Sequence, residues 1–284
     1  MKNAGKILVT GATGNVGSLL IPNLANLGAD VRALTRDETK AQGLKDAGVE
    51  VVVGNVELQK KLDGFRANAE ADIDFKTAQD NEALRIKNTG VEERALKVGQ
   101  RAPDFELYDF EGNQVSLAQL RANGPLALIF YRGLWCPYCN MEQLALQEIY
   151  PEIRKIGAQL AAITPGRNPL PADHPLAQVA AKLGVGPEGD GRTFPVLWDE
   201  GNRVADSFGL KHDFSDASRD MVMGVGLDME EINGAEAGWT LPLASTYIID
   251  KAGLIRHAVV TADWRIRTDP NDTLERLRQV AADQ

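Results

Sequence analysis

Two cysteines, Cys136 and Cys139, are the residues of this chain best suited to do chemistry. They are its only cysteines, and they stand with two residues between them in the segment FYRGLWCPYCN, residues 130–140. Two thiols at this spacing can close a disulfide reversibly, because one thiol attacks a substrate and the other resolves the product. The pair therefore predicts thiol redox chemistry.

Three other interpretations of the pair are weaker. A structural zinc site needs four ligands, and the three histidines (His174, His212 and His257) supply no second pair at finger-like spacing. A structural disulfide across so short a loop removes little chain entropy. Two chance buried cysteines would leave the Gly-Leu-Trp before the pair and Pro137 within it unexplained. We predict no metal site, short of one shared between subunits.

The elements that must position the thiols can be predicted from the flanking residues. Residues 126–131 form a short apolar run typical of a buried strand, and Gly133 breaks it. Residues 140–149 carry apolar side chains at helical spacing. We therefore expect Cys136 near a helix cap and Cys139 in the first turn, with Pro137 at the first helical position. Unpaired N–H groups and the helix dipole would stabilise a thiolate there.

Composition indicates an ordinary globular protein. The chain has 284 residues, of which 44% are hydrophobic and 25% charged, enough for one large or two modest domains. It contains no apolar stretch as long as a membrane span and begins without a signal-peptide pattern, so we expect a cytoplasmic protein with no membrane partner. A net charge of −9 without Lys/Arg clusters argues against nucleic-acid binding.

The first 58 residues have the pattern of a nucleotide-binding unit. A strand-like run at residues 6–10 precedes a glycine-rich loop and a helical stretch at 18–27, and further strands are predicted at 30–36 and 49–53. Glycines in such a loop permit a tight turn, and the helix N-terminus faces a pyrophosphate. The predicted contacts in the loop are Gly11, Thr13, Gly14, Asn15, Val16 and Gly17.

This segment resembles the opening of the NmrA-like, atypical short-chain dehydrogenase family in its TGATGNVG loop and LTRD sequence. The resemblance implies that Arg36 favours a 2′-phosphate, and hence NADPH. It ends near Leu58, and neither a second mononucleotide half nor a Tyr-x-x-x-Lys region follows. Two interpretations stay open, namely NADPH binding and a fusion remnant that keeps the motif without the site. Residues 59–97 are predicted to be a helical connector.

The remaining chain, residues 98–284, alternates strands and helices in the order of a thioredoxin fold. The predicted elements are a hairpin at 98–117 that turns at 111–113, a strand at 159–163, a helix at 176–183, segments at 193–199 and 204–209, a hairpin at 245–257 and a helix at 271–282. The fold class is α/β. We expect a thioredoxin-like central mixed sheet flanked by helices, preceded by a partial Rossmann βαβ unit.

Four motifs in the second part resemble the peroxiredoxin-like branch of the alkyl hydroperoxide reductase and thiol-specific antioxidant (AhpC/TSA) family. They are VGQRAPDFEL, FYRGLWCPYCN, TFPVLWDEGNRVADSFGL and STYIIDKAGLIRH. The resemblance spans about residues 60–284. It implies thiol chemistry on peroxides or disulfides, with a thioredoxin-like or low-molecular-weight thiol as reductant.

The same resemblance suggests roles for the site residues. A Pro-x-x-x-Thr-x-x-Cys signature places the peroxidatic thiol at Cys139, with Cys136 in place of the Thr and Arg132 in place of the Pro. A second active-site Arg of the family falls at Ala244, so Arg132 is expected to substitute for it. As a peroxidase, Cys139 attacks and Cys136 resolves. As a disulfide oxidoreductase, the more exposed Cys136 attacks and Cys139 resolves.

We predict a thiol-dependent peroxidase that reduces hydrogen peroxide or organic hydroperoxides through this dithiol, with Cys139, Cys136 and Arg132 as catalytic residues. The alternatives are a protein disulfide oxidoreductase and an NADPH-binding redox sensor. The thiol chemistry needs no cofactor, and the expected partners are the substrate, the thiol reductant and a second copy of the chain. Trp264 is interpreted as packing only. The insertion at 213–238 either covers the site or forms a dimer contact.

Overall fold

The structure is a computed structural model that describes residues 7–10, 21, 31–35, 44–45, 49–53, 60, 62–63, 73–166, 194–224 and 226–283. The chain divides into two compact units, residues 1–61 and residues 62–284. Among the described residues, no helix has both the length and the apolar character needed to cross a membrane.

The described part of the first unit is a parallel sheet of three strands. The strands are β1 (Ile7–Thr10), β2 (Val31–Thr35) and β3 (Glu50–Val53), with β2 in the middle. This is the strand order of one half of a dinucleotide-binding fold and confirms the three predicted strands. The predicted nucleotide contacts Gly11, Thr13, Gly14, Asn15, Val16, Gly17 and Arg36 lie outside the described residues, so their role stays a prediction.

The second unit is built on a mixed sheet of seven strands, ordered β12-β11-β6-β7-β8-β4-β5. The strands are β4 (Glu106–Asp109), β5 (Gln114–Ser116), β6 (Leu126–Phe130), β7 (Gln159–Thr164), β8 (Val196–Trp198), β11 (Ser245–Ile249) and β12 (Ile255–Val260). A separate antiparallel pair joins β9 (Lys211–Asp213) to β10 (Thr240–Pro242). Strands β6, β7 and β8 are parallel, and β6 pairs with β11 in antiparallel fashion. The expected thioredoxin-like sheet is confirmed.

Eight α-helices are described in the second unit. They are α1 (Ile73–Asn88), α2 (Val91–Arg94), α3 (Leu117–Leu120), α4 (Pro137–Lys155), α5 (Arg203–Ser207), α6 (Asp216–Gly224), α7 (Met229–Asn233) and α8 (Pro270–Ala282). Helices α4 and α8 pack together, and α8 also contacts β6 and β11. Helices α1 and α2 lie within the predicted connector at 59–97, although residues from 62 onward belong to the second compact unit. The helix predicted at 176–183 lies outside the described residues.

The core under the sheet centres on three aromatic rings. Phe130 at the end of β6 lies 5.0 Å from Phe208 and 6.2 Å from Tyr247 between ring centroids, and Phe208 lies 5.2 Å from Tyr247. All five residues of β6 are buried, which explains the continuous apolar run in a strand with neighbours on both edges. This core fixes the end of β6, from which the chain leads directly to the two cysteines.

Candidate active site

The thiols lie where the sequence predicts them. Cys136 is the N-cap of α4, Pro137 is its first helical residue, and Cys139 lies in the first turn. Gly133 makes the turn from β6 with φ of +140°, and a Cβ there would lie 2.7 Å from Nε1 of Trp135. Glycine is therefore required for both backbone and packing reasons. Proline at the first helical position costs no hydrogen bond, because a backbone N–H at that position would have no partner within the helix.

Both thiols are free and enclosed. Cys136 is 1% exposed and Cys139 is 0% exposed. The expectation of a more exposed Cys136 is thus wrong, because the side chains of Arg132, Trp135 and Trp264 are themselves almost fully buried around the end of β6. A large substrate cannot reach either sulfur in this conformation.

Arg132 is part of the site, as predicted. Its guanidinium carbon lies 4.6 Å from the ring centroid of Trp135 and 4.5 Å from that of Trp264, so the cation is held between two indoles. It is in hydrogen-bonding contact with Cys136. Burial lowers the pKa of Arg132, and the negative charge on the cysteines opposes that shift. Trp264, expected to be plain packing, is instead one wall of this cation site.

A second guanidinium, Arg267, contacts the other thiol. Its Nη2 donates to Sγ of Cys139 at 3.3 Å, and its Nε donates to Oε2 of Glu142 at 2.9 Å. Glu142 is 2% exposed and lies one turn into α4. The position matched to the second Arg of the family is Ala244, and the structure supplies this charge from the segment after β12.

Three features of the site were not expected from the sequence, namely Arg267, Glu142 and the role of Trp264. Arg267 is 128 residues from Cys139, so no local motif joins them. The available signal was a run of charged and aromatic residues, TADWRIRTDP, between the last predicted strand and helix. Such a run in a connecting segment is a hint of function.

The groups around the pair give the two thiols very different pKa values. Burial acts to raise the pKa of Cys136, but a hydrogen bond from Cys139 and the charges of Arg132 and Arg267 outweigh it and lower that pKa from 9.0 to about 6. Burial and the neighbouring Cys136 raise the pKa of Cys139 well above its ordinary value. The pair therefore shares one proton at neutral pH, with the thiolate on Cys136.

Glu142 is a third titrating group beside the pair. Burial raises its pKa to about 7, although Arg267 opposes the shift. A buried carboxyl that is half ionised near neutral pH can exchange protons during thiol chemistry. Glu142 contacts Arg267, and Arg267 in turn contacts the sulfur of Cys139.

The insertion at 213–238 packs on the outer side of Arg132. Residues of α1, α6 and the β9–β10 pair enclose a cavity of about 20 Å³ beside Arg132 and Trp264, which is room for about one water molecule. His212 lines it, and burial lowers the pKa of this imidazole to about 4, so it is neutral at physiological pH. The insertion thus covers the site, while its role in a dimer contact stays a prediction.

Two other side chains close in sequence to the thiols, Tyr131 and Tyr138, are buried. His174 lies outside the described residues. Within the part of the chain that is described, no group of three or more His, Cys, Asp or Glu residues could hold a metal ion.

A reduced dithiol at the start of a helix that follows the central strand of a mixed sheet defines a thioredoxin-fold redox protein. The chain belongs to the AhpC/TSA family, whose profile matches residues 98–258. An NmrA-like profile matches residues 3–84. Arg267, Trp264 and helix α1 lie outside the matched AhpC/TSA range, which is why the family motifs did not indicate them.

The relatives include proteins named as thiol-disulfide oxidoreductases and one named as a peroxiredoxin. The thiol-disulfide oxidoreductase ResA of Geobacillus thermodenitrificans is 27% identical over 172 residues, covering 61% of this chain and 74% of that protein. The chloroplastic peroxiredoxin Q of Triticum aestivum is 26% identical over 173 residues, covering 61% of this chain and 63% of that protein. The chain spans 59% of the ResA protein of Bacillus anthracis, at 24% identity over 115 residues, 40% of this chain.

Two solved structures show partial similarity to this chain. Peroxidoxin BcpB from Mycobacterium tuberculosis is 22% identical with a TM-score of 0.44, covering 65% of this chain and 98% of that one. AhpC of Enterococcus faecalis is 18% identical with a TM-score of 0.45, covering 66% of this chain and 95% of that one. The fold assignment rests on the strand order and pairing of this chain itself.

Proposed function

We propose that this protein is a thiol-dependent peroxidase that reduces small peroxides through a Cys136–Cys139 dithiol/disulfide cycle. The observation that supports it is the placement of two buried guanidinium groups, Arg132 and Arg267, around one enclosed dithiol. Cleavage of a peroxide O–O bond releases an oxyanion, and fixed cations in a site that excludes water stabilise that charge. A substrate of a few atoms also fits the near-complete burial of both sulfurs.

The cycle has three balanced steps. The thiolate attacks one peroxide oxygen, the O–O bond breaks, and the products are a sulfenic acid and an alkoxide or hydroxide that takes up a proton. The second thiol then attacks the sulfenic sulfur, which forms the disulfide and releases water. A thioredoxin-like or low-molecular-weight dithiol, or two monothiols, returns two electrons and two protons and leaves as a disulfide.

We further propose that Cys136 attacks first and Cys139 resolves. Arg132, Arg267 and the thiol of Cys139 all stabilise a negative charge on Cys136, and the thiolate is the nucleophile. This assignment is opposite to the one that the family signature suggests for Cys139. The hydrogen bond from Nε of Arg267 to Glu142 holds the guanidinium against the sulfur of Cys139.

Protein disulfide exchange is the second candidate function. It is supported by the same order of the two pKa values, with a low value for the first Cys and a high value for the second, and by the name of the ResA relatives. It is opposed by the burial of Cys136, since a partner disulfide must contact the attacking sulfur. Both functions begin at Cys136, so the substrate distinguishes them.

Nucleotide binding by the first unit is a separate proposal. The three parallel strands fit one half of a dinucleotide fold, in which NADPH would supply hydride when bound. No step of the thiol cycle is assigned to it. Titration of NADPH by fluorescence, with Gly14→Asp as the control, removes the proposal if the two curves coincide. A homodimer likewise stays a proposal, to be checked by light scattering.

Sulfenic acid trapping tests the thiol roles. The reduced protein, Cys136→Ser and Cys139→Ser are mixed with one equivalent of hydrogen peroxide in the presence of a sulfenic acid trap and analysed by mass spectrometry. We expect rapid trapping on Cys136 in Cys139→Ser and slow thiol loss in Cys136→Ser. Rapid trapping only on Cys139 would reverse the roles within a peroxidase, and slow loss in all three proteins would rule the peroxidase out.

A further inference from the structure

The segment between β12 and α8, residues 261–268, carries both groups that the family motifs did not indicate. We call it the strap. Trp264 covers Arg132 from one side, and Arg267 donates to Cys139. The strap contains no regular strand or helix. Within it, Nη1 of Arg267 donates to the backbone carbonyls of Trp264 and Ile266, so the side chain of Arg267 is held against the strap itself. The position of the strap as a whole then depends on its contacts with other elements.

Helices α1 and α2 each contact the strap through an acidic side chain. Arg265 is 3% exposed, and its Nη2 lies 2.7 Å from Oδ1 of Asp80 on α1. The backbone N–H of Ala262 donates to Oε1 of Glu92 on α2 at 2.6 Å. Both anchors are acidic side chains from a part of the chain that the AhpC/TSA profile does not match.

Arg265 and Arg267 contact carboxylates on two different helices. Arg265 contacts Asp80 on α1, while Arg267 contacts Glu142 on α4 and the sulfur of Cys139. These side chains, two residues apart on the strap, thus connect it to α1 on one hand and to α4 on the other.

We propose that Asp80 is a positioning residue for the thiol pair, which acts by holding Arg265 so that the strap places Arg267 on Cys139 and Trp264 over Arg132. The effect of Asp80 on catalysis rests on the proposed peroxidase function, whereas its effect on the position of Arg267 does not. The proposal predicts that helix α1, which lies outside the range matched by the AhpC/TSA profile, affects the pH midpoint of thiolate formation. The groups facing the thiolate are the thiol of Cys139, Arg132, Arg267 and, through Arg267, Glu142.

Asp80→Asn is the direct test because it leaves the rest of the strap paired. Arg265 keeps its contacts with Asp263, at 2.7 Å and 3.0 Å, so no buried charge is left alone. Lys76→Gln is the matched control, since Lys76 is the other partner of the same carboxylate and lies on the exposed surface of α1. Asp80→Glu keeps the charge and should restore the wild-type value.

The measurement is the pH midpoint of thiolate formation in the reduced protein, followed by ultraviolet absorbance and by iodoacetamide alkylation. We expect the midpoint to rise by half to one pH unit in Asp80→Asn, which slows alkylation at pH 6 by about twofold to fivefold. Lys76→Gln and Asp80→Glu should keep the wild-type midpoint. Glu92→Gln, which loosens the other anchor, should shift it in the same direction as Asp80→Asn.

An unchanged midpoint in both Asp80→Asn and Glu92→Gln, or an equal shift in Lys76→Gln, overturns the inference. Circular dichroism at the assay temperature confirms that each variant is folded. Peroxide turnover is measured separately. If turnover is absent in the wild type but the midpoint still shifts, the proposed function fails while the role of Asp80 stands.

Discussion

Cys136 carries the negative charge of the dithiol although it is buried. Removal from water alone disfavours a thiolate, so the low pKa depends on the groups that touch it. Arg132 and Arg267 supply positive charge and Cys139 supplies a hydrogen bond. The two guanidinium groups come from distant parts of the sequence, one just after β6 and one on the strap. The reactivity of a single sulfur thus depends on contacts far apart in sequence.

Replacement of Arg132 by Met tests this dependence. Met fills similar space between the two indoles but removes the charge, so we expect the pKa of Cys136 to rise above about 6 by one unit or more. Alkylation at pH 6 should slow by about fivefold or more. The control is Arg203→Met, which removes an exposed arginine paired with Glu236. Equal rates for Arg132→Met and the wild type would show that Arg132 does not stabilise the thiolate.

The start of helix α4 places the two thiols shortly after the buried strand β6. Gly133 and Pro137 specify it, and both could be identified from sequence because each has a local conformational reason. Arg267 could not be identified in this way, since it reaches Cys139 across 128 residues and from a segment without a motif. The burial of Cys136 was also missed, because the enclosure around Arg132 and Trp135 is completed by Trp264, which comes from a segment far away in sequence.

Gly133→Ala should disturb this element at two levels. The backbone at φ of +140° disfavours a side chain, and the new Cβ would displace Trp135 and with it Arg132. We expect a loss of about 1–3 kcal/mol in the free energy of unfolding together with a raised thiolate midpoint. Gly157→Ala is the control, since Gly157 has φ of +76° but open space around it. It should lose stability with no change in the midpoint, and a shared midpoint shift would contradict the argument.

At the scale of the whole molecule, the dithiol links stability to pH. In the unfolded chain both thiols titrate near 9.0, whereas in the folded protein one proton is lost near pH 6 and the other is retained to high pH. Between these values the unfolded state binds more protons, so stability rises with pH. Above about pH 9 the unfolded state binds fewer protons, and stability falls again.

The reduced protein should therefore gain stability from pH 6 to pH 9 relative to the double variant Cys136→Ser, Cys139→Ser. The gain is about 1.4 kcal/mol for each unit by which the folded pKa lies below the unfolded one. Denaturant unfolding of both proteins at several pH values, with a reductant present, measures it. Parallel stability curves across this range would show that Cys136 has no lowered pKa.

The fold as a whole was predictable in outline. The alternation of apolar runs and helical patterns gave β6, β7, β11, β12 and α8 close to their observed positions, because each has a strong local pattern. The functional assembly of the molecule was not predictable, since α1 and the strap meet at the site only through tertiary packing. Their contribution lies in the placement of charge rather than in a sequence motif.

The most direct test of the account compares two substrates in single-turnover reactions. The fully reduced protein is mixed by stopped flow with hydrogen peroxide or with a protein disulfide, and the loss of thiols is followed at pH 7. We predict that hydrogen peroxide reacts at least about 100-fold faster than it does with free cysteine and that the protein disulfide reacts slowly. Fast reaction with the disulfide and slow reaction with peroxide would contradict the account and identify disulfide exchange as the function.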